Sequence, residues 1–290
     1  MIMNKSINPA RNWWRDHIYP MVPYDQIEQE TYNMIATEMK KKNSDNPLIS
    51  MVIIAYNEEK RIIRCLSSIA AIQTEIPMEV IVVNNNSKDN TQVVLDKCGV
   101  RSVIEKQQGV GFARQAGMDA ARGKYISCGD ADTLYPPKYI DTMVKHLEKE
   151  GTAGVYGTYS FLPDGEKSET ALKIYEYFRD LAVLIRSVKR PELCVGGANF
   201  AFRKDYGCSV GWRTDLRRGE DGSMLLGLKK YGKLHFILEN NSRAWTSSRT
   251  LDSDGNLFQM VTKRIIRESK RIKEYFTTAK TYKDQDHNLI

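Results

Sequence analysis

Apolar residues in the first half of the chain fall into short unbroken runs, separated by stretches with helical spacing. Leu48-Ile49-Ser50-Met51-Val52-Ile53-Ile54-Ala55 is almost wholly apolar, as in a strand buried on both faces of a parallel sheet. A helix is predicted over 61–72, where Ile62, Ile63, Leu66 and Ile69 recur at helical spacing. A second buried strand follows over 78–83, then a short helix to Cys98 that stops at Gly99, a favoured residue just past a helix end. A strand over 100–105, a glycine-rich turn, a helix over 112–121 and a strand over 124–127 complete the series. This alternation predicts an α/β fold: a Rossmann-like, doubly wound and mostly parallel sheet. Such sheets bind ligands beyond the carboxyl ends of their strands. The turns after 55, 83 and 127 are therefore where chemistry is expected.

The second half is less regular. A helix is predicted over 139–151, a strand over 154–162, a helix over 223–231, and strands over 234–238 and 242–246. A longer helix over 170–188 is expected to carry Leu172, Tyr175, Phe178, Leu181, Ile185 and Val188 on one face. Two extensions flank this domain of 47–250. The N-terminal arm, 1–46, contains a helix over 24–42 and ends at the Asn46-Pro47 break. The C-terminal segment, 251–290, repeats Leu257, Val261, Ile265, Ile272 and Phe276 with Lys263, Arg264, Arg267, Lys270, Arg271 and Lys273 mostly between them. That pattern predicts a basic amphipathic helix, which can lie on an anionic membrane or cap the domain with its apolar face inward.

Composition narrows the class. At 290 residues, 41% hydrophobic and 27% charged, the chain is an ordinary globular one, and its apolar runs fall well short of the ~18 residues of a membrane span. Residues 1–14 are polar and lack the apolar core of a signal peptide. Five cysteines with no Cys-x-x-Cys pair fit a reducing cytoplasm better than a disulfide framework or a structural zinc site. The net charge of +7 suits nucleic acid, an anionic membrane or a phosphorylated substrate. Nucleic acid is the least favoured, because aromatic-basic interleaving, zinc-finger spacing and a helix-turn-helix are all missing from the pattern.

Candidate chemistry centres on Asp130-Ala131-Asp132, which follows the strand over 124–127 and precedes Pro136-Pro137. Residues i and i+2 of an extended segment share a face, so the two carboxylates repel unless a cation lies between them. Mg²⁺ or Mn²⁺ suits such a pair, since Mg²⁺ takes one or two carboxylates and fills its other positions with water and phosphate. A solvated acidic turn has the same spelling.

Five ordered motifs add to this. Ile54-Ala55-Tyr56-Asn57-Glu58-Glu59 follows the first strand, and Val83-Asn84-Asn85-Asn86-Ser87-Lys88-Asp89-Asn90-Thr91 the second. Ala113-Arg114-Gln115-Ala116-Gly117 precedes the Asp-x-Asp, and Gly196-Gly197-Ala198-Asn199-Phe200-Ala201-Phe202-Arg203 and Gly219-Glu220-Asp221 come after it. In this order they resemble a family 2 glycosyltransferase with the GT-A (nucleotide-diphospho-sugar transferase) fold, over roughly 48–249.

The resemblance implies an inverting, metal-dependent transfer of a sugar from a nucleoside-diphosphate donor, a UDP- or GDP-sugar, to a hydroxyl. The acceptor would be a glycan or a lipid-linked molecule in polysaccharide, glycolipid or cell-surface glycan synthesis. It implies Asp132 as the metal ligand, with Asp130 nearby for the ribose or a metal-bound water, and Asp221, beside Glu220, as the catalytic base. The side chains themselves suggest the donor contacts. Tyr56, after Ala55, offers a ring to a base; Glu58 is a ribose candidate; Asn85 offers both a donor and an acceptor to a pyrimidine edge. Many family members have Asp where this chain has Asn84 and Asn85. Arg114 is read either as a diphosphate or nucleotide contact or as a solvated helix arginine, and Arg249 as a neutraliser of the departing diphosphate.

Rival readings leave traces too. Gly109-Val110-Gly111 suggests a dinucleotide fold, but Arg114 stands where its third glycine belongs, and the turn follows the third strand rather than the first. A sugar-1-phosphate nucleotidyltransferase would favour a basic glycine-rich loop after the first strand, where Glu58-Glu59 is acidic. A non-catalytic nucleotide-sugar-binding or scaffold protein would keep the same loops. The expected setting is the cytoplasm, with the basic C-terminal segment as the one candidate for peripheral contact with an anionic membrane.

Overall fold

A computed structural model describes residues 12–163, 167–249, 251, 259, 262, 263, 265, 266 and 269. Most of the basic helix expected over 251–290 lies outside the described residues.

The apolar run after Pro47 forms β1 (Ile49–Ala55), flanked in parallel by β2 (Met78–Asn84) on one side and β4 (Tyr125–Asp130) on the other. With β3 (Arg101–Ile104) outside β2, this gives the parallel order β3-β2-β1-β4. β1 is continuous in apolar character because both of its faces are covered. Met51, Ile53 and Ala55 point into one core with α1 (Gln29–Lys42), α2 (Ile62–Ala70), α3 (Thr91–Lys97) and α5 (Tyr139–Leu147). Val52 points into a second core with α4 (Val110–Ala120) and α8 (Glu220–Leu228). Alternation along a strand makes this division automatic. Ile53 is fully buried, and truncating it to Ala would cost about 2–5 kcal/mol.

Beyond β4 the sheet continues as β8 (Phe200–Arg203), β6 (Thr152–Gly157) and β9 (Lys233–Ile237). The pairs β4–β8 and β8–β6 are antiparallel, and β6–β9 is parallel. A second, three-stranded sheet has the order β5-β10-β7, from β5 (Thr133–Leu134), β7 (Tyr159–Leu162) and β10 (Ala244–Ser247).

Three expectations change. The strand expected over 154–162 is two strands, β6 and β7, in different sheets, because an apolar run carries no mark of where its partner changes. The helix expected over 223–231 starts at Glu220, so Glu220 and Asp221 form its first turn. The long helix α6 (Glu169–Ser187) buries Leu172 and Tyr175 but leaves Phe178, Leu181, Ile185 and Val188 exposed. Those six residues therefore do not share a face. α7 (Lys204–Val210) was not expected; there Gly207 packs under Phe202, whose ring would collide with any Cβ at that position.

The N-terminal arm lies against the domain. A 3-10 turn at Trp13–His17 stacks Trp14 on Trp245 of β10, and His17 Nδ1 lies 2.8 Å from Ser67 Oγ of α2. Among the described residues no helix is long and apolar enough to cross a membrane.

Candidate active site

The carboxyl ends of β1, β2 and β4 come into line. Ala55 pairs with Asn84, and Ile54 with Asp130. Sequence order reverses here, with β1 followed by β2 on one side and by β4 on the other, and a crevice opens at such a point.

The loops after β1 and β2 are fastened to each other. Asn57 takes a left-handed conformation with φ 54°, which Asn tolerates better than most residues. Its N–H donates to Ser87 Oγ (3.0 Å), and its side-chain oxygen accepts from Lys88 N (2.8 Å). Glu58 N donates to Thr91 Oγ1 (2.9 Å) and Glu59 N to Asp89 (3.1 Å). Glu59 accepts from Asn90 and, through its other oxygen, from Tyr24 N of the arm (3.1 Å). Asn57, Glu59, Ser87, Asp89 and Thr91 thus hold the rim, while Tyr56 is 47% exposed beside it.

Asn85 has a different occupation from the one expected. Its amide donates to the carbonyls of Gln107 (2.7 Å) and Glu105 (3.4 Å), and its oxygen accepts from Gly109 N (2.9 Å) and Gln108 Nε2 (3.4 Å). Two donors and two acceptors are the whole capacity of an amide. Asn85 therefore pins the 105–109 turn, and its side chain keeps nothing for a pyrimidine edge. Its backbone N–H donates to Ala55 O (2.8 Å), so Ala55 serves the same join.

Arg114 is neither a solvated arginine nor a residue reaching outward. It is buried, donating to Gly129 O (2.8 Å) and Asp130 Oδ1 (2.7 Å), with its Nε 3.7 Å from Asp221 Oδ1. Burial works against its charge, but Asp130 and Asp221 more than offset this and raise its pKa. Asp221 Oδ1 and Arg114 Nε face each other without a hydrogen-bond partner among the described residues. Burial, then the neighbouring Glu220 carboxyl, push Asp221 well above the ordinary carboxylate range, with Arg114 opposing. Glu220 is buried beside it. Gly197 closes over this group, and a Cβ there would strike both the Arg114 guanidinium and the Asp221 carboxylate.

Asp132 lies one residue past the strand end. Its Oδ1 accepts from Thr246 of β10 (3.3 Å), and its Oδ2 is 3.4 Å from Arg249 Nη2. The same Nη2 is 2.6 Å from Glu58 Oε1, so Arg249 bridges the two carboxylates. Burial, with Asp130 and Glu58 nearby, pushes Asp132 up to about 7, against the pull of Arg249 and Thr246. Burial raises Glu58 as well, again with Arg249 opposing, and Glu58 Oε2 lacks a hydrogen-bond partner among the described residues.

This excess of buried negative charge suits a cation. Among the described residues no three His, Cys, Asp or Glu side chains converge into a ready-made metal cage. A divalent ion would therefore take Asp132 and complete its shell with phosphate oxygens and water, as Mg²⁺ commonly does. Tyr135 and Thr246 escaped sequence reasoning. Tyr135 accepts from Asp130 N (3.1 Å) and donates to Ala198 O (3.1 Å). Thr246 reaches Asp132 only through the second sheet, and neither residue has a motif to announce it.

The sequence model of Glycosyl transferase family 2 matches residues 50–207. An uncharacterized glycosyltransferase of Haemophilus influenzae is 33% identical over 119 residues, covering 39% of this chain and 36% of that protein. A chondroitin synthase of Pasteurella multocida is 33% identical over 141 residues, covering 46% of this chain and 14% of that protein. These matches span well under half of those relatives' lengths. Among solved structures, the mannosyltransferase PcManGT from Pyrobaculum calidifontis, in complex with GDP-Man and Mn²⁺, superposes with a TM-score of 0.56 at 18% identity, covering 85% of this chain and 76% of that one. TarS 1-349 of S. aureus, in complex with UDP-GlcNAc, gives 0.53 at 14% identity, covering 81% and 68%. At such identities the likeness is one of fold.

Proposed function

The chain belongs to glycosyl transferase family 2 and has the GT-A fold, and from that premise we propose that it transfers a sugar, with inversion, from a nucleoside-diphosphate donor to a hydroxyl. The donor is a UDP- or GDP-sugar, the two kinds named with its structural neighbours. The acceptor is a glycan or lipid-linked molecule, in cytoplasmic synthesis of a polysaccharide, glycolipid or cell-surface glycan. In this reading 47–250 is the catalytic domain, 1–46 an arm that braces it and 251–290 a basic extension able to meet an anionic membrane.

One observation carries the proposal: buried Arg114 donates to Asp130 (2.7 Å) and lies 3.7 Å from Asp221, so one guanidinium neighbours both carboxylates. A candidate metal-side carboxylate and a candidate base thus face one crevice. Asp132, with Asp130 beside it, would hold Mn²⁺ or Mg²⁺, which when bound supplies positive charge to the departing diphosphate. Tyr56 stacks on the base, and Glu58 lies at the ribose. Asp221 accepts the proton of the acceptor hydroxyl as that oxygen bonds to the anomeric carbon. The bond from that carbon to the diphosphate oxygen breaks, and the oxygen keeps the electron pair. One displacement from the far side inverts the centre. A base whose proton affinity is raised is suited to taking that proton near neutral pH. Arg249, already between Glu58 and Asp132, balances the charge of the leaving diphosphate.

Asp221→Asn tests the assignment. Transfer should fall by about 10²–10⁴-fold, while the thermal stabilisation by UDP or GDP with Mn²⁺ stays as in the wild type. Near-normal turnover removes Asp221 from the role. A melting temperature that no nucleoside diphosphate or nucleotide sugar shifts, with or without Mn²⁺, overturns the reading as a whole.

A further inference from the structure

The buried side of α6 does several jobs. Leu172 and Tyr175 pack into a small core with Phe161. Glu176 accepts from Ser160 Oγ (2.9 Å) and Phe161 N (2.6 Å). Arg179 donates to Tyr159 O, and Asp180 pairs with Arg179 and Arg243. The helix is therefore anchored to the second sheet by its own carboxylates, Glu176 and Asp180, which are drawn inward.

The opposite side is apolar and open. Ile174, Tyr177, Phe178, Leu181, Ile185 and Val188 are all exposed, with Tyr177 at 69%, Ile185 at 59% and Val188 at 79%. At 3.6 residues per turn they form one stripe roughly 120° wide. A helix carries such a stripe when something covers it. Exposed Lys173 and Lys189 border the stripe near its two ends. Glu169, in the first turn, lies off the stripe and is paired with Lys173 and Arg15.

We propose that this face of α6 docks on an anionic lipid bilayer, lying in the interface with its apolar side chains among the upper acyl chains and its lysines at the headgroups. Tyr and Phe among aliphatic residues, lysines on the borders and carboxylates turned away make up the chemistry of an interfacial helix. The chain's net charge of +7 adds attraction to anionic headgroups. A second copy of the chain fits less well, because antiparallel pairing of two such stripes brings lysine-bearing ends together, and like charges across an interface are unfavourable. The stripe belongs to α6 and the residue that follows it. From its C-terminal end the chain runs through the 3-10 turn at Pro191–Leu193 to Gly197, which abuts Asp221. The docking does not rest on the transferase reading.

Flotation of the full chain with vesicles of phosphatidylglycerol and phosphatidylcholine tests the proposal. The wild type is expected to float with mixed vesicles and far less with phosphatidylcholine alone. Ile185→Glu, and independently Val188→Glu, should lower partitioning about tenfold, the scale expected when one large apolar side chain no longer enters an apolar phase. Both positions reach solvent, so each variant should keep the wild-type melting point and nucleotide response, which also separates loss of docking from failure of the transferase reading. Undiminished flotation of both variants overturns the proposal. So does a wild type that ignores vesicles but forms a dimer, seen by sedimentation velocity, that Ile185→Glu dissolves.

Discussion

Arg114 decides more about the site than any other side chain. It has Gly129 O and two carboxylates for partners, and it is buried among them. A buried pair contributes little net stability when intact, but removing one partner leaves an uncompensated charge. Arg114→Gln should therefore destabilise the fold by about 3–5 kcal/mol, read as a lower urea midpoint. A variant as stable as the wild type would mean that water already satisfies Asp130 and Asp221. In the sequence Arg114 could equally be a phosphate contact or a solvated residue, because an arginine in a helical pattern looks the same in each case. Asn85 was opaque for a related reason: its residue type advertises hydrogen bonds without saying whether the chain itself uses them. Asp130, Asp132 and Asp221 drew attention by their places after one predicted strand and before one predicted helix, and the structure brings Asp130 and Asp221 to the same arginine.

At the scale of elements, the arm is the part most open to a pH test. Burial lowers the pKa of His17 from its ordinary 6.5, although Asp16 pulls the other way. The folded state then binds fewer protons than the unfolded chain as pH falls through that range. Stability from the neutral, buried imidazole is complete above about 6.5 and is lost as pH drops toward the folded value. The Trp14–Trp245 stack should loosen with it, seen as a change in tryptophan fluorescence below about pH 6. His17→Gln should abolish that transition, and persistence of the transition in the variant would assign it elsewhere. The elements of the parallel sheet were the easiest to anticipate, since β1 and β2 are mostly apolar runs with both faces covered. α6 was misread because its apolar residues run nearly all the way round. Two of those expected on one face serve the small core, and four serve the outer stripe.

At the scale of the molecule, the site belongs to both sheets. Asp130 and Asp132 follow β4 of the large sheet, while Thr246 and Arg249 come from β10 of the small one and the residues after it. Asn199 ties the two sheets, donating to Thr158 O and Ser242 O. Binding of UDP or GDP with Mn²⁺ should therefore slow amide exchange at the end of β4 and along β10 together. Protection confined to 55–91 would mean that the nucleotide touches only the first two loops. This joining was invisible in the sequence: residues 132 and 246 are far apart along the chain, and the split of 152–162 between two sheets leaves no mark in composition.

The four parallel strands β3-β2-β1-β4 all come from residues 49–130, and the loops after β1 and β2 hold each other through their own hydrogen bonds. On a ribosome, where domains tend to form from the N-terminal side first, this half has its partners in hand before the rest of the chain emerges. Asp221, Thr246 and Arg249 arrive later. A nascent chain would thus shape the rim of the candidate site well before the candidate base at Asp221 emerges, and the site would be whole only once residue 249 has joined it.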